Sequence, residues 1–148
     1  MWRVCAAHDP SCPFCRGNEV MTPPAILELP GPDGWGLRVI ANKYPAVTPF
    51  LGSEAVHDIN DCAQFGDGST TNNQLPAVGH HEVLIESPLH NHLAATGTKE
   101  QLSLLVRAWV ARASAISEDM QVRQILCFKN QGGTAGASLV HPHRCAYV

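Results

Sequence analysis

Apolar residues recur at helical spacing over one long segment. A capping box, Thr98-Lys-Glu-Gln101, precedes this segment and marks a helix start. The apolar residues that share one helical stripe are Leu102, Leu105, Val106, Trp109, Val110, Ala113 and Ile116. The pattern predicts a helix over Thr98–Asp119, packed on the core through this stripe, with Trp109 buried.

Shorter apolar runs bounded by turn residues predict strands. The predicted strands are Leu37–Ala41, Gly79–Ser87, Gln124–Phe128 and Ser138–His143. A further short apolar run, Ala25–Leu29, is followed by the strong turn signal Pro30–Gly34. Strands, one long helix and more strands indicate an α+β fold with one antiparallel sheet.

Composition narrows the class of protein. The 148 residues, with a net charge of −3, fit one domain and carry no basic run suited to nucleic acid or an anionic membrane. No segment resembles a signal peptide or a membrane span, which favours a cytoplasmic location. Leu51–Pro76 is polar and aperiodic and is predicted to be a mobile surface loop.

The N-terminal motif Cys12-Pro-Phe-Cys15 has two common meanings. A redox dithiol would open a helix after a strand, but no strand precedes this motif and Gly17 follows it closely. A zinc half-site is therefore favoured, and it needs two more ligands to close a tetrahedron. Two unrelated thiols are the remaining alternative.

The segment from Phe128 to His143 carries the densest candidate chemistry. Gly132, Gly133 and Gly136 allow positive φ and close approach to a ligand, and successive amides of such a loop can hold phosphate oxygens. On a strand His141 and His143 would point to one face. A neutral imidazole can attack phosphorus. The alternative is that the glycine-rich turn only joins two strands and that the histidines have no functional role.

This segment resembles the active-site region of galactose-1-phosphate uridylyltransferases, in the histidine-triad superfamily. The resembling motifs are Cys12–Cys15, Arg38–Ala46, His81–His90 and Phe128–His143. They stand in family order over nearly the whole chain. The resemblance implies a histidine-triad-like antiparallel sheet, one long helix and an N-terminal zinc knuckle. Because family members are much longer, residues 1–148 are expected to be a truncated N-terminal domain.

The resemblance also implies a structural Zn²⁺ site. Its ligands would be Cys12, Cys15, His90 and His141, with four protein ligands leaving no position for water. His92 lies two residues beyond His90, but the family spacing from Ser87-Pro88 favours His90.

The implied reaction runs through His143 as nucleophile. It would take UMP from UDP-glucose as a covalent uridylyl-histidine and pass it to galactose 1-phosphate. The substrate-binding positions implied are Asn42, Lys43, Asn130, Gly136, Ala137 and Ser138. A UDP-sugar and a hexose 1-phosphate are the expected partners, and the full-length family suggests a homodimer.

Departures from the family pattern keep other functions open. Arg144 and Cys145 follow His143, where the family has a small residue and then a glutamine that supports the transferred group. A frameshift or truncation near the C-terminus would explain this change and would lower activity. The alternatives are an adenylyl-specific sugar-nucleotide phosphorylase and a catalytically dead, zinc-stabilised fragment.

Overall fold

A computed structural model describes residues 6–49 and 78–147. The predicted loop Leu51–Pro76 lies outside the described residues. None of the helices in these two ranges has the length and hydropathy of a membrane span.

The described chain forms a five-stranded sheet with one long helix. In chain order the elements are β1 (Ala25–Gly31), β2 (Gly34–Ala41), β3 (His81–Ile85), α1 (Lys99–Ile116), β4 (Leu126–Phe128) and β5 (His143–Tyr147). Every neighbouring pair in the order β1-β2-β3-β5-β4 is antiparallel. The predicted α+β class and antiparallel sheet are confirmed.

The two faces of the sheet bury different cores. On one face Ile40, Val83 and Ile85 pack against the knuckle residues Cys12 and Phe14. The other face carries Leu37, Val39 and Leu84, which pack against Leu105 and Ala108 of α1. The predicted alternation of β3, with Val83 and Ile85 on one side and Leu84 on the other, is confirmed. The sheet therefore separates the helix from the side on which the cysteines lie.

The helix begins as predicted, with both hydrogen bonds of the Thr98–Gln101 capping box present. Its buried residues are Leu105, Ala108 and Ile116. Three members of the predicted stripe are exposed instead: Leu102, Val106 and Val110.

An ion pair with the buried Glu82 explains that rotation of the helix. The guanidinium of Arg112 donates to both carboxylate oxygens of Glu82 on β3, at 2.8 and 2.6 Å. Burying Glu82 requires a partner, so the helix presents Arg112 to the sheet and the small Ala108 allows close approach. Trp109, predicted to be buried, is only partly so, and the Arg144 guanidinium lies 4.9 Å from its ring centroid.

One strand prediction is wrong, and one strand of the sheet was not predicted. Ser138–His143 is not a strand: β5 begins only at His143. Pro142 has no N–H to give to a ladder, and the preceding glycine loop contains a 3₁₀ turn, Gly133–Ala135. Conversely, the short run at Ala25–Leu29 is part of an edge strand, and Gly31 pairs with Gly34 across the predicted turn.

Candidate metal cluster and active-site cavity

Four side chains that could bind a metal converge on the face of the sheet opposite to α1. The Sγ atoms of Cys12 and Cys15 and the ring nitrogens of His90 and His141 all lie within 4.8 Å of one another, and all four residues are buried. The knuckle supplies the thiols, His90 follows the end of β3, and His141 precedes β5. Residues from both ends of the chain are thus brought to one point.

The spacing of these atoms fits a tetrahedral metal ion. Cys15 Sγ lies 3.5 Å from His90 Nδ1 and 3.6 Å from His141 Nδ1, and Cys12 Sγ lies 3.7 Å from His141 Nδ1. Bonds of about 2.3 Å to sulfur and 2.0–2.1 Å to nitrogen put neighbouring tetrahedral donors about 3.6 Å apart. These three donor pairs are at that spacing, and the donor set could therefore hold a metal ion.

Outer contacts prepare His141 and Cys15 to act as ligands. The ring of His141 donates Nε2–H to the Ser87 carbonyl at 2.8 Å, which leaves the lone pair on Nδ1, facing the thiols. The backbone N–H of Asp9 donates to Cys15 Sγ at 3.3 Å. Burial lowers the pKa of His141 to about 4, helped by the neighbouring histidines, so the ring is neutral as a ligand must be.

Of the two histidines after β3, His90 joins the cluster. Its backbone N–H donates to the Ala7 carbonyl at 2.8 Å, which ties it to the chain just before the knuckle. His92 is outside the cluster, and its ring approaches Gly97. The structure thus places His90 beside the other three residues predicted as ligands.

A cavity of about 580 Å³ opens beside the cluster. Every substrate-binding residue expected from the sequence lines it: Asn42, Lys43, Asn130, Gly136, Ala137 and Ser138. His143 lines it too, and Phe14 stands between the cavity and the cluster, with ring centroids 5.5 Å from His143 and 6.0 Å from His141. The structure thus brings the two sets of predicted residues to adjacent sites.

His143 is held in one tautomer by the backbone. Its Nδ1 lies 2.8 Å from the carbonyl oxygen of His141, two residues back. A carbonyl can only accept, so Nδ1 carries the hydrogen and the lone pair of the neutral ring is on Nε2. A half-buried imidazole with an available lone pair, in a cavity wall, can act as a nucleophile or a base.

The glycine loop closes on itself. Gly132 and Gly136 have φ of 83° and 81°, a conformation that strains other residues. Gly136 N–H donates to the Gly133 carbonyl and Ala137 N–H to the Gly132 carbonyl, at 3.0 and 3.2 Å. Those two amides, expected to face phosphate, are engaged within the loop. Ser138, which follows these two residues, is exposed at the cavity.

A buried carboxylate joins the strand ends under the cavity. Glu86 Oε1 lies 2.6 Å from Lys129 Nζ and 3.1 Å from Arg144 Nε. Glu86 N–H also donates to the Pro142 carbonyl at 3.2 Å. These contacts hold the ends of β3, β4 and β5 together, next to Asn130 and His143.

Two further residues line the cavity: Cys145 departs from the family pattern, and His81 was not predicted. Cys145, two residues after His143 on β5, lines the cavity, and burial raises the pKa of its thiol. His81, which the sequence analysis did not select, also lines the cavity. The strand alternation could have found it, because His81 shares a face with Val83 and Ile85.

Comparisons with known proteins agree with this geometry. Residues 4–147 match the family model described as galactose-1-phosphate uridyl transferase, N-terminal domain. The chain is 33% identical over 134 residues to ADP-glucose phosphorylase of Arabidopsis thaliana, covering 90% of this chain and 36% of that protein. It is 36% identical over 137 residues to galactose-1-phosphate uridylyltransferase of Thermotoga maritima, covering 93% of this chain and 37% of that protein.

Among solved structures, the fold matches that of an ADP-glucose phosphorylase from Arabidopsis thaliana with bound ADP-glucose. The TM-score is 0.71 at 30% identity, over 95% of this chain and 41% of that one. The chain therefore spans little more than a third of the length of the curated relatives it matches.

Proposed function

The chain belongs to the galactose-1-phosphate uridyl transferase family, and from this membership we propose that it acts in nucleotidyl transfer through His143. The reaction proposed is the exchange of UMP between UDP-glucose and galactose 1-phosphate. The observation that supports it most is the hydrogen bond from His143 Nδ1–H to the His141 carbonyl, which leaves the Nε2 lone pair available in the cavity.

The proposed exchange has two balanced steps. The Nε2 lone pair of His143 attacks the α-phosphorus of UDP-glucose, and the bond from that phosphorus to the bridging oxygen breaks, which releases glucose 1-phosphate. A phosphate oxygen of galactose 1-phosphate then attacks the same phosphorus, and the electron pair of the P–N bond returns to Nε2. A covalent intermediate divides one displacement into two easier ones. Asn130 and Ser138 would contact the phosphate oxygens.

We assign zinc to the four-residue cluster, with a structural role. Two thiolates and two imidazoles at tetrahedral spacing are a donor set typical of structural zinc. Bound there, the ion would fasten Cys12 and Cys15 to His90 and His141. Because the His141 carbonyl orients His143, the cluster would also fix the nucleophile.

ADP-glucose is the second candidate donor. It is supported by the identity to an ADP-glucose phosphorylase and by the fold shared with that enzyme's ADP-glucose complex. The same histidine would then carry AMP, and inorganic phosphate would take the place of the hexose phosphate. The two steps described above involve the α-phosphorus and His143 and take the same form with either nucleotide.

The test is to trap the covalent intermediate. The purified chain is incubated with UDP-glucose or ADP-glucose labelled at the α-phosphorus, denatured in base and digested, because a phosphoramidate survives base and is cleaved in acid. Label on the His143 peptide from UDP-glucose supports uridylyl transfer, and label from ADP-glucose alone supports the second candidate. If neither donor labels the chain, nucleotidyl transfer by His143 is wrong.

A further inference from the structure

His81 lies in the cavity wall, far from the nucleophile. It is buried at the start of β3, and Ile85 at the end of that strand pairs with His143. Four residues of antiparallel strand span about 13 Å, so the backbone of His81 lies about that far along the sheet from the backbone of His143. That is about the distance from the phosphorus to the far edge of the base in a nucleoside monophosphate.

Contacts with His81 fasten the segment that follows β2. The backbone N–H of Ala46 donates to His81 Nδ1 at 3.0 Å, and the backbone N–H of Asn42 donates to the His81 carbonyl at 2.9 Å. The side-chain amide nitrogen of Asn42 lies 2.8 Å from His81 Nε2. A neutral imidazole has one acceptor nitrogen, so it can accept from only one of these two amides. The Ala46 N–H points at Nδ1, and the Asn42 side-chain amide, whose Oδ1 accepts from Tyr44 N–H, is then a close contact of the ring and not a hydrogen bond.

The segment from Asn42 to Ala46 needs such an anchor. After Ala41 the chain leaves the ladder, and Pro45 has no N–H to offer. Its amides must find other partners: Tyr44 N–H donates to Asn42 Oδ1 at 2.9 Å, and Ala46 N–H uses His81. Asn42, Lys43, Tyr44 and Ala46 all line the cavity. The position of Ala46 at the end of this segment therefore depends on the imidazole of His81 beside it.

We propose that His81 is a positioning residue that holds the Asn42–Ala46 segment in place for the nucleoside part of the substrate. This inference rests on the proposed function, because it assigns that end of the cavity to the nucleoside. It assigns no part of the phosphorus chemistry to His81, which is too far from His143. Loss of the anchor should therefore weaken nucleotide binding and leave the transfer step unchanged.

The experiment compares three variants in the full chain. His81→Leu removes both ring nitrogens, His81→Asn places an amide oxygen near the Nδ1 position, and His81→Gln reaches toward the Nε2 position. Labelling of His143 in a single turnover is followed against the concentration of whichever nucleotide sugar labels the wild type. Hydrogen exchange of the Ala46 amide is measured in the same proteins, with metal content and thermal unfolding as checks on folding.

In His81→Leu the half-saturating concentration should rise about tenfold, the maximal labelling rate should stay within about twofold, and Ala46 should lose protection. His81→Asn should restore most of the affinity and the protection, and His81→Gln should not. Equal half-saturation in His81→Leu and wild type, equal behaviour of His81→Leu and His81→Asn, or a loss confined to the maximal rate would each overturn the inference. If the wild type is not labelled, the proposed function and the assignment of this end of the cavity to the nucleoside are both wrong. Hydrogen exchange of the Ala46 amide would still decide whether His81 anchors the segment.

Discussion

His141 and His143 are two residues apart and have opposite environments. His141 is fully buried among thiols, and its pKa is lowered to about 4 by that burial. His143 is half-buried in the wall of an open cavity. His141 donates through Nε2 and presents Nδ1, whereas His143 donates through Nδ1 and retains its lone pair on Nε2. The backbone carbonyls around each ring thus decide which nitrogen is available.

The contrast extends to the regions around the two histidines. The cluster is closed, since its four donors face one another and Ser87 and Asp9 complete their outer contacts. The cavity is lined by exposed polar groups, among them Lys43, Asn130 and Ser138. A closed set of ligands suits structure and an open set suits a substrate that must enter and leave. The His141 carbonyl links the two regions.

The largest effect expected is on the cluster. Replacing both knuckle cysteines, in Cys12→Ser with Cys15→Ser, should remove a bound metal and lower the free energy of unfolding by more than about 5 kcal/mol, because metal binding is folding energy at such sites. Elemental analysis and urea unfolding measure the two quantities. Cys127→Ser, at an exposed thiol, is the matched control and should change neither. Full metal retention in the double variant would remove the knuckle from the site.

A change on the cavity side should separate chemistry from stability. In His143→Gly, labelling by nucleotide should fall by more than about a thousandfold, since the attacking lone pair is gone. Metal content should stay at the wild-type level. His80→Gly is the control, because His80 pairs with Asp119 away from the cavity. A phosphoramidate still formed by His143→Gly, or metal lost from it, would break the proposed division between the two histidines.

Much of this arrangement follows from local sequence signals. The capping box at Thr98, the alternation in Gly79–Ser87 and the Cys12–Cys15 spacing each depend on neighbouring residues only. The family resemblance supplied His90, His141 and His143, which no spacing rule could have joined. The structure brings His90 and His141 to the cluster and His143 to the adjacent cavity.

What the sequence did not predict depends on tertiary contacts. The face of α1 was wrong because the pairing of Arg112 with Glu82 outweighs the apolar stripe through Val106 and Val110. The strand through His141 was wrong because Pro142 and the glycine loop prevent pairing before His143. The alternation of β3 could have placed His81 on the cavity face, but its contact with the Ala46 amide could not be predicted, because that partner is a backbone group.

The acid stability of metal-depleted protein should reveal the burial of His141. Unfolded, this histidine binds a proton near pH 6.5, but folded it does so only near its lowered pKa of about 4. The unfolded state therefore holds more protons between these values, so stability falls as pH drops from about 6.5 to 4, by about 3 kcal/mol. Urea unfolding at a series of pH values measures this. His81 and His92, whose pKa values are lowered by burial, act in the same direction.

The contribution of His141 to this pH dependence is isolated by subtracting the stability measured for a His141→Asn variant at each pH. The difference between the two metal-depleted proteins should grow with pH across that window. Metal-loaded wild type should show a steeper slope, because bound metal keeps both thiols and both imidazoles of the cluster deprotonated in the folded state, while the unfolded chain binds those protons. Equal slopes for wild type and His141→Asn would mean that this ring accepts a proton while folded and is not the closed ligand described above.

The smallest change expected is a gain on the cavity side at Cys145. Its thiol lines the cavity two residues after His143, and burial raises its pKa, so it stays an uncharged, weak hydrogen-bond donor at neutral pH. We expect the chain to label slowly for that reason. Cys145→Gln offers an amide donor toward the transferred phosphoryl group and should speed labelling of His143 about tenfold, the effect of about one good hydrogen bond.

Cys145→Ala should stay within about twofold of wild type, and Cys127→Gln on the neighbouring strand should change nothing. Metal content should be the same in all four proteins, because none of these substitutions touches the cluster. If Cys145→Gln is labelled no faster than Cys145→Ala, the thiol does not limit the labelling rate. The difference between the cluster and the cavity then depends on His143 alone.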